Sequence, residues 1–186
     1  MKRRAIFLML LMMTAPVLAE DAAPPGWNFY MSPKGAYVAG TETLPDIPGR
    51  KVAFLRAAVA VDPARSGSGL SHVVTATSYK GRRLRVSTRL KTEKAGVSRC
   101  YLGVLRGNLV LQGANVPIAA GTHDWTDCNV VLDVPIEATA LRVGINLNGG
   151  GTVWSDGFHF EAVGKTVALT EDRQPMEHPV NLDFDP

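Results

Sequence analysis

The chain has 186 residues, of which 46% are apolar and 20% charged, enough for one folded domain with a hydrophobic core. Three of its 20 basic residues, and none of its 17 acidic ones, lie in the first 19 residues, so the rest is electrically neutral. This composition excludes a strongly basic nucleic-acid binder, a disordered chain and a multi-span membrane protein.

The first 19 residues have the pattern of a secretory signal peptide. A basic start (KRR at 2–4) precedes an apolar run at 5–13, and VLA at 17–19 fits a cleavage site. The run is too short to cross a bilayer comfortably, and Pro16 follows it closely. We therefore expect a mature chain that starts at Glu20, has no membrane span, and resides in the periplasm or outside the cell.

The mature sequence alternates between apolar and polar residues with a period of two. Residues 20–26 are interpreted as a flexible lead and residues 27–164 as the folded domain. Strands are predicted at 50–59, 70–77, 82–93, 98–106, 109–111, 125–134, 139–147 and 153–163. Alternation of this kind is typical of antiparallel sheets with one solvated face. It predicts an all-β fold, an antiparallel β-sandwich of the jelly-roll type.

Three local patterns refine this prediction. The apolar phase of the strand at 50–59 falls on Val52 and Phe54. SGSG at 66–69 lacks the outer glycine of a nucleophile elbow and is interpreted as a loop. Residues 165–186 are interpreted as an extended acidic tail, whose residues 180–184 alternate in the manner of an edge strand.

Several motifs carry a family resemblance. They are YKGRRLRVS at 79–87, LKTE at 90–93, the run from DW at 124–125 to DVP at 133–135, and GGGTVWSDGFHF at 149–160. In this order they resemble the strands of bacterial galactose-binding-domain-like, carbohydrate-binding-module-like β-sandwiches. The resemblance covers about residues 27–163 and implies their jelly-roll architecture. The Trp-rich strand of that family corresponds to residues 97–107, which contain no tryptophan.

Aromatic side chains that can stack on sugar rings are the first candidates for ligand contact. We select Trp27, Tyr30 and Tyr101, and a place in the core is the alternative for each of them. Trp125 and Trp154 are expected to pack the core or to seal its ends.

Basic side chains form a second candidate surface. Four of them share one face of the strand at 82–93: Arg83, Arg85, Arg89 and Lys91. Arg85 and Arg89 are candidates for contact with an acidic glycan or a phosphate. The alternative is a solvated face whose charges pair across strands with Asp127, Asp133 or Glu161.

No pattern of catalytic or cofactor-binding residues was found, so we expect no enzyme activity and no cofactor. The resemblance leaves a structural calcium ion as the exception, with Asp156 as its candidate ligand. Cys100 and Cys128 predict a disulfide in an exported chain. Cys128 falls on the inward phase of its strand, whereas both phases are compatible with Cys100. Two outcomes stay open: a bridge if the phases agree, or two free thiols if they oppose.

The predicted function is an exported, non-catalytic binding module whose ligand is a glycan. The alternative is an envelope module that binds or scaffolds another protein. We expect no nucleic-acid partner and no membrane span after removal of the signal peptide.

Overall fold

The computed structural model describes residues 23–170, and nearly all of their regular structure is β-strand. The eleven strands are β1 (Trp27–Ser32), β2 (Tyr37–Thr43), β3 (Lys51–Ala57), β4 (Gly67–Thr75), β5 (Arg83–Ala95), β6 (Val97–Arg106), β7 (Leu109–Ile118), β8 (Gly121–Asp133), β9 (Ala140–Asn148), β10 (Thr152–Ser155) and β11 (His159–Val163). A short 3-10 turn at Thr77–Tyr79 lies between β4 and β5. Among these residues no helix could span a membrane. The predicted signal peptide and the predicted strand at 180–184 lie outside the described residues.

The strands form two antiparallel sheets, which confirms the predicted β-sandwich. Sheet 1 has the order β1-β4-β9-β6-β7. Sheet 2 is built around β5, which pairs with β8 along one edge and with β10 and β11 in succession along the other. Strands β3 and β2 follow beyond β10. The long strand β5 is therefore the centre of sheet 2.

The main core lies between the two sheets, and the alternation predicted most of it. The inward side chains of β5 and β9 are essentially inaccessible to solvent: Leu84, Val86, Leu90, Leu141, Val143, Ile145 and Leu147. Burial of each contributes about 1.5–3 kcal/mol before the entropy of ordering is subtracted. The core therefore follows from the period-two pattern of these two strands.

A second, smaller apolar cluster lies outside the sandwich, on the outer face of sheet 2. Val52 and Phe54 are 1% and 0% exposed, but Phe54 pairs with Trp154, which in turn pairs with Lys91 on the polar face of β5. Residues 44–50 cover this cluster, with Leu44 and Ile47 packed against it. The apolar phase of β3 is thus real, but it faces away from the main core.

Several predictions of local structure were wrong, and the predicted strands did not include β1 and β2. Residues 66–69 are not a loop, because β4 begins at Gly67. The strand predicted at 109–111 extends to Ile118 as β7. The strand predicted at 153–163 is interrupted after Ser155, and Gly157 has a φ of 68° in the break. A positive φ ends the strand there, since this backbone conformation is incompatible with a continuous β ladder.

Cys100 and Cys128 form a disulfide, which settles the alternatives left open by the sequence. Cys100 shares the inward phase of β6 with Leu102 and Val104. Since β6 belongs to sheet 1 and β8 to sheet 2, the bridge joins the two sheets across the core.

The described part of the predicted tail lies against sheet 2. The Arg83 guanidinium donates to the backbone carbonyls of Lys165 and Val167 at 2.8 and 2.5 Å. The Thr170 backbone N–H donates to the Val131 carbonyl, and the Val131 N–H donates to Thr170 Oγ1. Residues 165–170 therefore cross sheet 2 and reach the free edge of β8.

Candidate functional site

The five predicted ligand-binding residues lie on three different surfaces. Tyr30 of β1 and Tyr101 of β6 are on the outer face of sheet 1. Arg85 and Arg89 of β5 are on the outer face of sheet 2. Trp27 stands at the rim where the two sheets meet. The structure therefore brings the two tyrosines together on one face and the two arginines on another, and Arg89 lines a cavity of about 240 Å³ with Asp127 and Asp156.

Tyr30 lies across the neighbouring strand. Its partner in the register is Gly69 on β4, and Gly69 pairs in turn with Asn146 on β9. The Tyr30 hydroxyl donates to Asn146 Oδ1 at 2.8 Å. Since adjacent strands are about 4.8 Å apart, the phenol ring must pass over β4 to reach this partner. A Cβ on Gly69 would lie 2.2 Å from Tyr30 Cε1, so the glycine makes room for the ring.

The Tyr101 side chain starts from β6 and lies across β9 towards β4, opposite in direction to that of Tyr30. Its partner on β9 is Gly144, and Gly144 pairs with Ser71 on β4. A Cβ on Gly144 would lie 2.6 Å from the Tyr101 hydroxyl oxygen. Burial raises the pKa of Tyr101 to about 12, with a further contribution from Tyr30, whereas a hydrogen bond with Ser71 acts in the opposite direction. The phenol therefore remains protonated and neutral at physiological pH.

We call Tyr30, Tyr101 and the two glycines beneath them, Gly69 and Gly144, the tyrosine platform. Tyr30 is 52% exposed, so one side of its ring is open to a ligand while the other rests on the sheet. Polar side chains share this outer face of sheet 1: Asn28, Ser71, Arg99, Asn115, Arg142, Asn146 and Asn148. Aromatic faces bordered by amides and guanidinium groups can stack on an apolar ring and hydrogen-bond the hydroxyl groups around it.

Sequence reasoning selected both tyrosines but missed the glycines. The signal was present in β4, where Gly67 and Gly69 recur with the period of a strand and leave one face without side chains. Glycine weakens a strand and often marks the close approach of another group. At Gly69 that group is the phenol ring of Tyr30, a residue 39 positions earlier in the sequence.

On the outer face of sheet 2, cross-strand pairing neutralises the basic side chains. Arg83 contacts Asp133 at 2.9 Å, and Arg85 contacts Glu161 at 3.6 Å. Arg83, followed by Lys165, lowers the pKa of Asp133 to about 2. The predicted cross-strand pairing thus describes both arginines, but Arg83, whose side chain is 12% exposed, is covered by residues 165–167 and not solvated.

Arg89 is engaged by Asp156 rather than by its register partner Asp127. Asp156 Oδ2 accepts hydrogen bonds from Arg89 and, at 2.5 Å, from Arg50, and its side chain is 4% exposed. Within residues 23–170 no group of three or more His, Cys, Asp or Glu could hold a metal ion. Two guanidinium groups on one carboxylate oxygen compete with a cation, so these contacts give the predicted calcium site no support.

Trp125 and Trp154 pack the second apolar cluster instead of the main core or its ends. Trp154 donates its indole N–H to Glu42, and Trp125 donates its indole N–H to Asp46 at 2.8 Å. Lys91 also bonds Asp46, and this contact lowers the pKa of the Asp46 carboxyl and raises that of the lysine. Both indoles are therefore held by acids on one face of sheet 2.

Trp27 closes the rim between the sheets. Its ring stacks on His72 and meets Phe158, each at a centroid distance of 5.4 Å. Beneath the ring lies an apolar pocket of about 190 Å³, lined in part by Leu70 and Ile145 of the core. Trp27 is thus half-buried and separate from the tyrosine platform.

No protein-family model matches the sequence. A curated relative, described as the uncharacterized HTH-type transcriptional regulator YbfP of Bacillus subtilis (strain 168), is 37% identical over 120 residues, or 59% of this chain and 40% of that protein. The chain thus spans well under two thirds of that relative, and the description belongs to the longer protein.

Solved structures resemble the chain over most of the described residues. TmCBM61, solved in complex with beta-1,4-galactotriose, is 14% identical, with a TM-score of 0.52 over 75% of this chain and 90% of that one. The CBM22-1 xylan-binding domain from Paenibacillus barcinonensis Xyn10C is 12% identical, with a TM-score of 0.53 over 78% and 91%. The Stig cyclase Fisc from Fischerella sp. TAU is 17% identical, with a TM-score of 0.55 over 81% and 92%.

These similarities concern architecture, since binding modules and a cyclase share it and a fold does not determine an activity. The two antiparallel sheets, their core and these neighbours agree with the resemblance seen in the sequence. The chain has the β-sandwich fold of the carbohydrate-binding modules.

Proposed function

We propose that this protein is a non-catalytic module that binds a glycan on the tyrosine platform. The observation that carries the proposal is the pair of tyrosines lying across Gly69 and Gly144 on one open sheet face. The similarity to carbohydrate-binding modules supports it at the level of the fold.

The platform has the chemistry that recognition of a sugar requires. The C–H face of a pyranose ring is apolar and stacks on an aromatic ring, while its hydroxyl groups point outward and need hydrogen-bond partners. The Tyr30 ring supplies the stacking surface, and its bond to Asn146 holds it in one orientation. Asn115 and Asn148 lie beside the rings on the same face. Since the bond to Asn146 orients the Tyr30 phenol in advance, little of its side-chain entropy is lost on binding.

Export is a further part of the proposal. A disulfide between the sheets is stable in an oxidising compartment and would be kept reduced in most cytosols. The predicted signal peptide at residues 1–19 agrees with this compartment, and N-terminal sequencing of exported protein tests it. A mature chain that begins at Glu20 is the expected result, and one that begins at Met1 contradicts export by this route.

Glycan binding is tested by screening the purified protein on a glycan array and measuring hits by calorimetry. We expect Tyr30→Ala to abolish binding while the fold, followed by circular dichroism, is retained. Val59→Ala changes an exposed residue outside the platform and is the control. If Tyr30→Ala binds as tightly as the unchanged protein, or if Arg85→Ala is the variant that loses binding, the ligand does not occupy the platform.

A further inference from the structure

Sheet 1 carries an unbalanced charge. None of its five strands contains an aspartate or a glutamate, whereas they contain three arginines: Arg99, Arg106 and Arg142. Acidic residues occur in four of the strands of sheet 2, namely β2, β5, β8 and β11. Although residues 20–186 are neutral in sum, the strands of sheet 1 carry only basic charges, whereas those of sheet 2 carry both basic and acidic ones.

Two of these arginines flank the tyrosine platform. Arg142 precedes Gly144 by two residues on β9, so it lies on the same outer face, next to the Tyr101 ring. Arg99 pairs with Asn146, the residue that holds Tyr30. At about 3.3 Å per residue, the rows of Arg142 and Arg99 are about 13 Å apart. The row of Tyr101 lies between them, and Tyr30 lies in the row of Arg99.

Neither guanidinium is neutralised among the described residues. Arg99 donates to Asn148 Oδ1 at 2.8 Å, a neutral amide that orients the group and leaves its charge unbalanced. The ion pairs of residues 23–170 include Arg83, Arg85 and Arg89 of sheet 2 but neither Arg99 nor Arg142. The arginines on the outer face of sheet 2 thus pair with carboxylates. Among the described residues, Arg99 and Arg142 of sheet 1 have no acidic partner and lie beside the tyrosine platform.

We infer that the glycan of the tyrosine platform is anionic, with a carboxylate or sulfate group received by Arg142 or Arg99. The inference rests on the proposed function and adds the class of ligand. A guanidinium offers a charged, planar fork of donors that matches a carboxylate or sulfate group, whereas the amide side chains beside the platform are neutral. The absence of acids from sheet 1 also removes the repulsion that an anionic chain would otherwise meet.

The test compares polysaccharides that differ in charge. Binding of the protein to polygalacturonate, dextran sulfate, dextran and xylan is measured by affinity electrophoresis and calorimetry at low and high salt. We expect one or both anionic polymers to bind at least about five-fold more tightly than the neutral ones, and added salt to weaken that binding. Preference for polygalacturonate assigns a carboxylate ligand, and preference for dextran sulfate assigns a sulfate ligand.

Substitutions locate the charge effect. At least one of Arg142→Gln and Arg99→Gln should weaken binding of the anionic polymer by about five-fold, and the lysine variant at the same position should keep part of the affinity. Arg106→Gln removes the same charge from the same sheet, five residues from Tyr101 along β6, and should have little effect. Equal losses in all three Gln variants would overturn the inference, because they would indicate a diffuse charge effect.

Failure of the inference is distinguishable from failure of the proposed function. If neutral polymers bind as tightly as anionic ones and only Tyr30→Ala abolishes binding, the module binds glycans but does not select charge. If none of the four polymers and no array glycan binds, both proposals are overturned.

Discussion

Cys100 of β6 and Cys128 of β8 are bonded through the core, and their disulfide is a covalent link between the two sheets. They are 28 residues apart in the sequence, and the segment between them contains the second part of β6, all of β7 and the first part of β8. A crosslink over a loop of this length restricts the unfolded chain and thereby stabilises the folded one.

The double variant Cys100→Ala/Cys128→Ala should lose about 3–4 kcal/mol of unfolding free energy, as the chain-entropy account predicts for such a loop. Urea denaturation at neutral pH measures the loss. The unchanged protein treated with a reducing agent is the matched control and should approach the variant. Equal urea midpoints for oxidised and reduced protein would show that the bridge adds no stability.

Phe54 tests whether the second apolar cluster is a true core. It is 0% exposed beneath residues 44–50, so Phe54→Ala should cost about 3–5 kcal/mol, as much as a substitution between the sheets. Trp125 is only partly buried at the margin of the same cluster, and Trp125→Ala should cost less. Chemical denaturation of both variants decides the order. The reverse order would mean that residues 44–50 do not cover Phe54 in solution.

Gly69→Ala should disturb the platform without unfolding the protein. The new Cβ would overlap the outer end of the Tyr30 side chain, which is exposed and can swing away. We therefore expect a stability change within about 1 kcal/mol and the same loss of glycan binding as in Tyr30→Ala. In Gly113→Ala, the control, the nearest atom to the new Cβ is 3.5 Å away, which is an ordinary contact. Retained binding in Gly69→Ala would separate Tyr30 from the site.

Asp133 gives the fold a defined acid sensitivity. Its pKa is lowered to about 2 by Arg83 and then Lys165, from 3.8 in the unfolded chain. A depressed pKa in the folded state means that the unfolded state binds more protons between these two values. The stability that Asp133 contributes is therefore complete above about pH 4 and is lost as the pH falls towards about 2.

Urea midpoints of the unchanged protein and of Asp133→Asn, measured as a function of pH, test this dependence. The unchanged protein should be the more stable at neutral pH, and the difference should shrink below about pH 4. Asp127→Asn, on the same strand and face, is the control. A difference that stays constant down to about pH 2 would show that Arg83 does not depress the pKa of Asp133.

Calcium should leave the protein unchanged if Arg50 and Arg89 hold Asp156 in solution as they do in the structure. Thermal unfolding with excess calcium and with a chelator should give the same midpoint, because a ligand stabilises the folded state only if it binds there. A midpoint that rises with calcium and falls with the chelator would support the calcium site predicted from the sequence.

Alternation along the sequence was sufficient to predict the antiparallel sandwich and the inward faces of its long strands, but the predicted strands omitted β1, β2 and most of β7. In β5 and β9 the inward residues are identifiable from neighbouring positions alone, because successive side chains of a strand point to opposite faces. For Val52 and Phe54 the apolar phase was predicted, but these side chains lie on the outer side of sheet 2, where residues 44–50 cover them. A period of two cannot show which of two covered faces a strand presents to the main core.

The sequence by itself determined an all-β sandwich with a resemblance to carbohydrate-binding modules, two candidate tyrosines and a pair of cysteines. Only the tertiary structure decided that Cys100 faces Cys128 and that Tyr30 and Tyr101 share one face. Both results depend on the register of strands that are distant in the chain: Tyr30 reaches Asn146 across 116 residues. Local preferences determine the direction of a side chain within its own strand, whereas its neighbours on other strands are determined by packing and pairing of the whole sandwich.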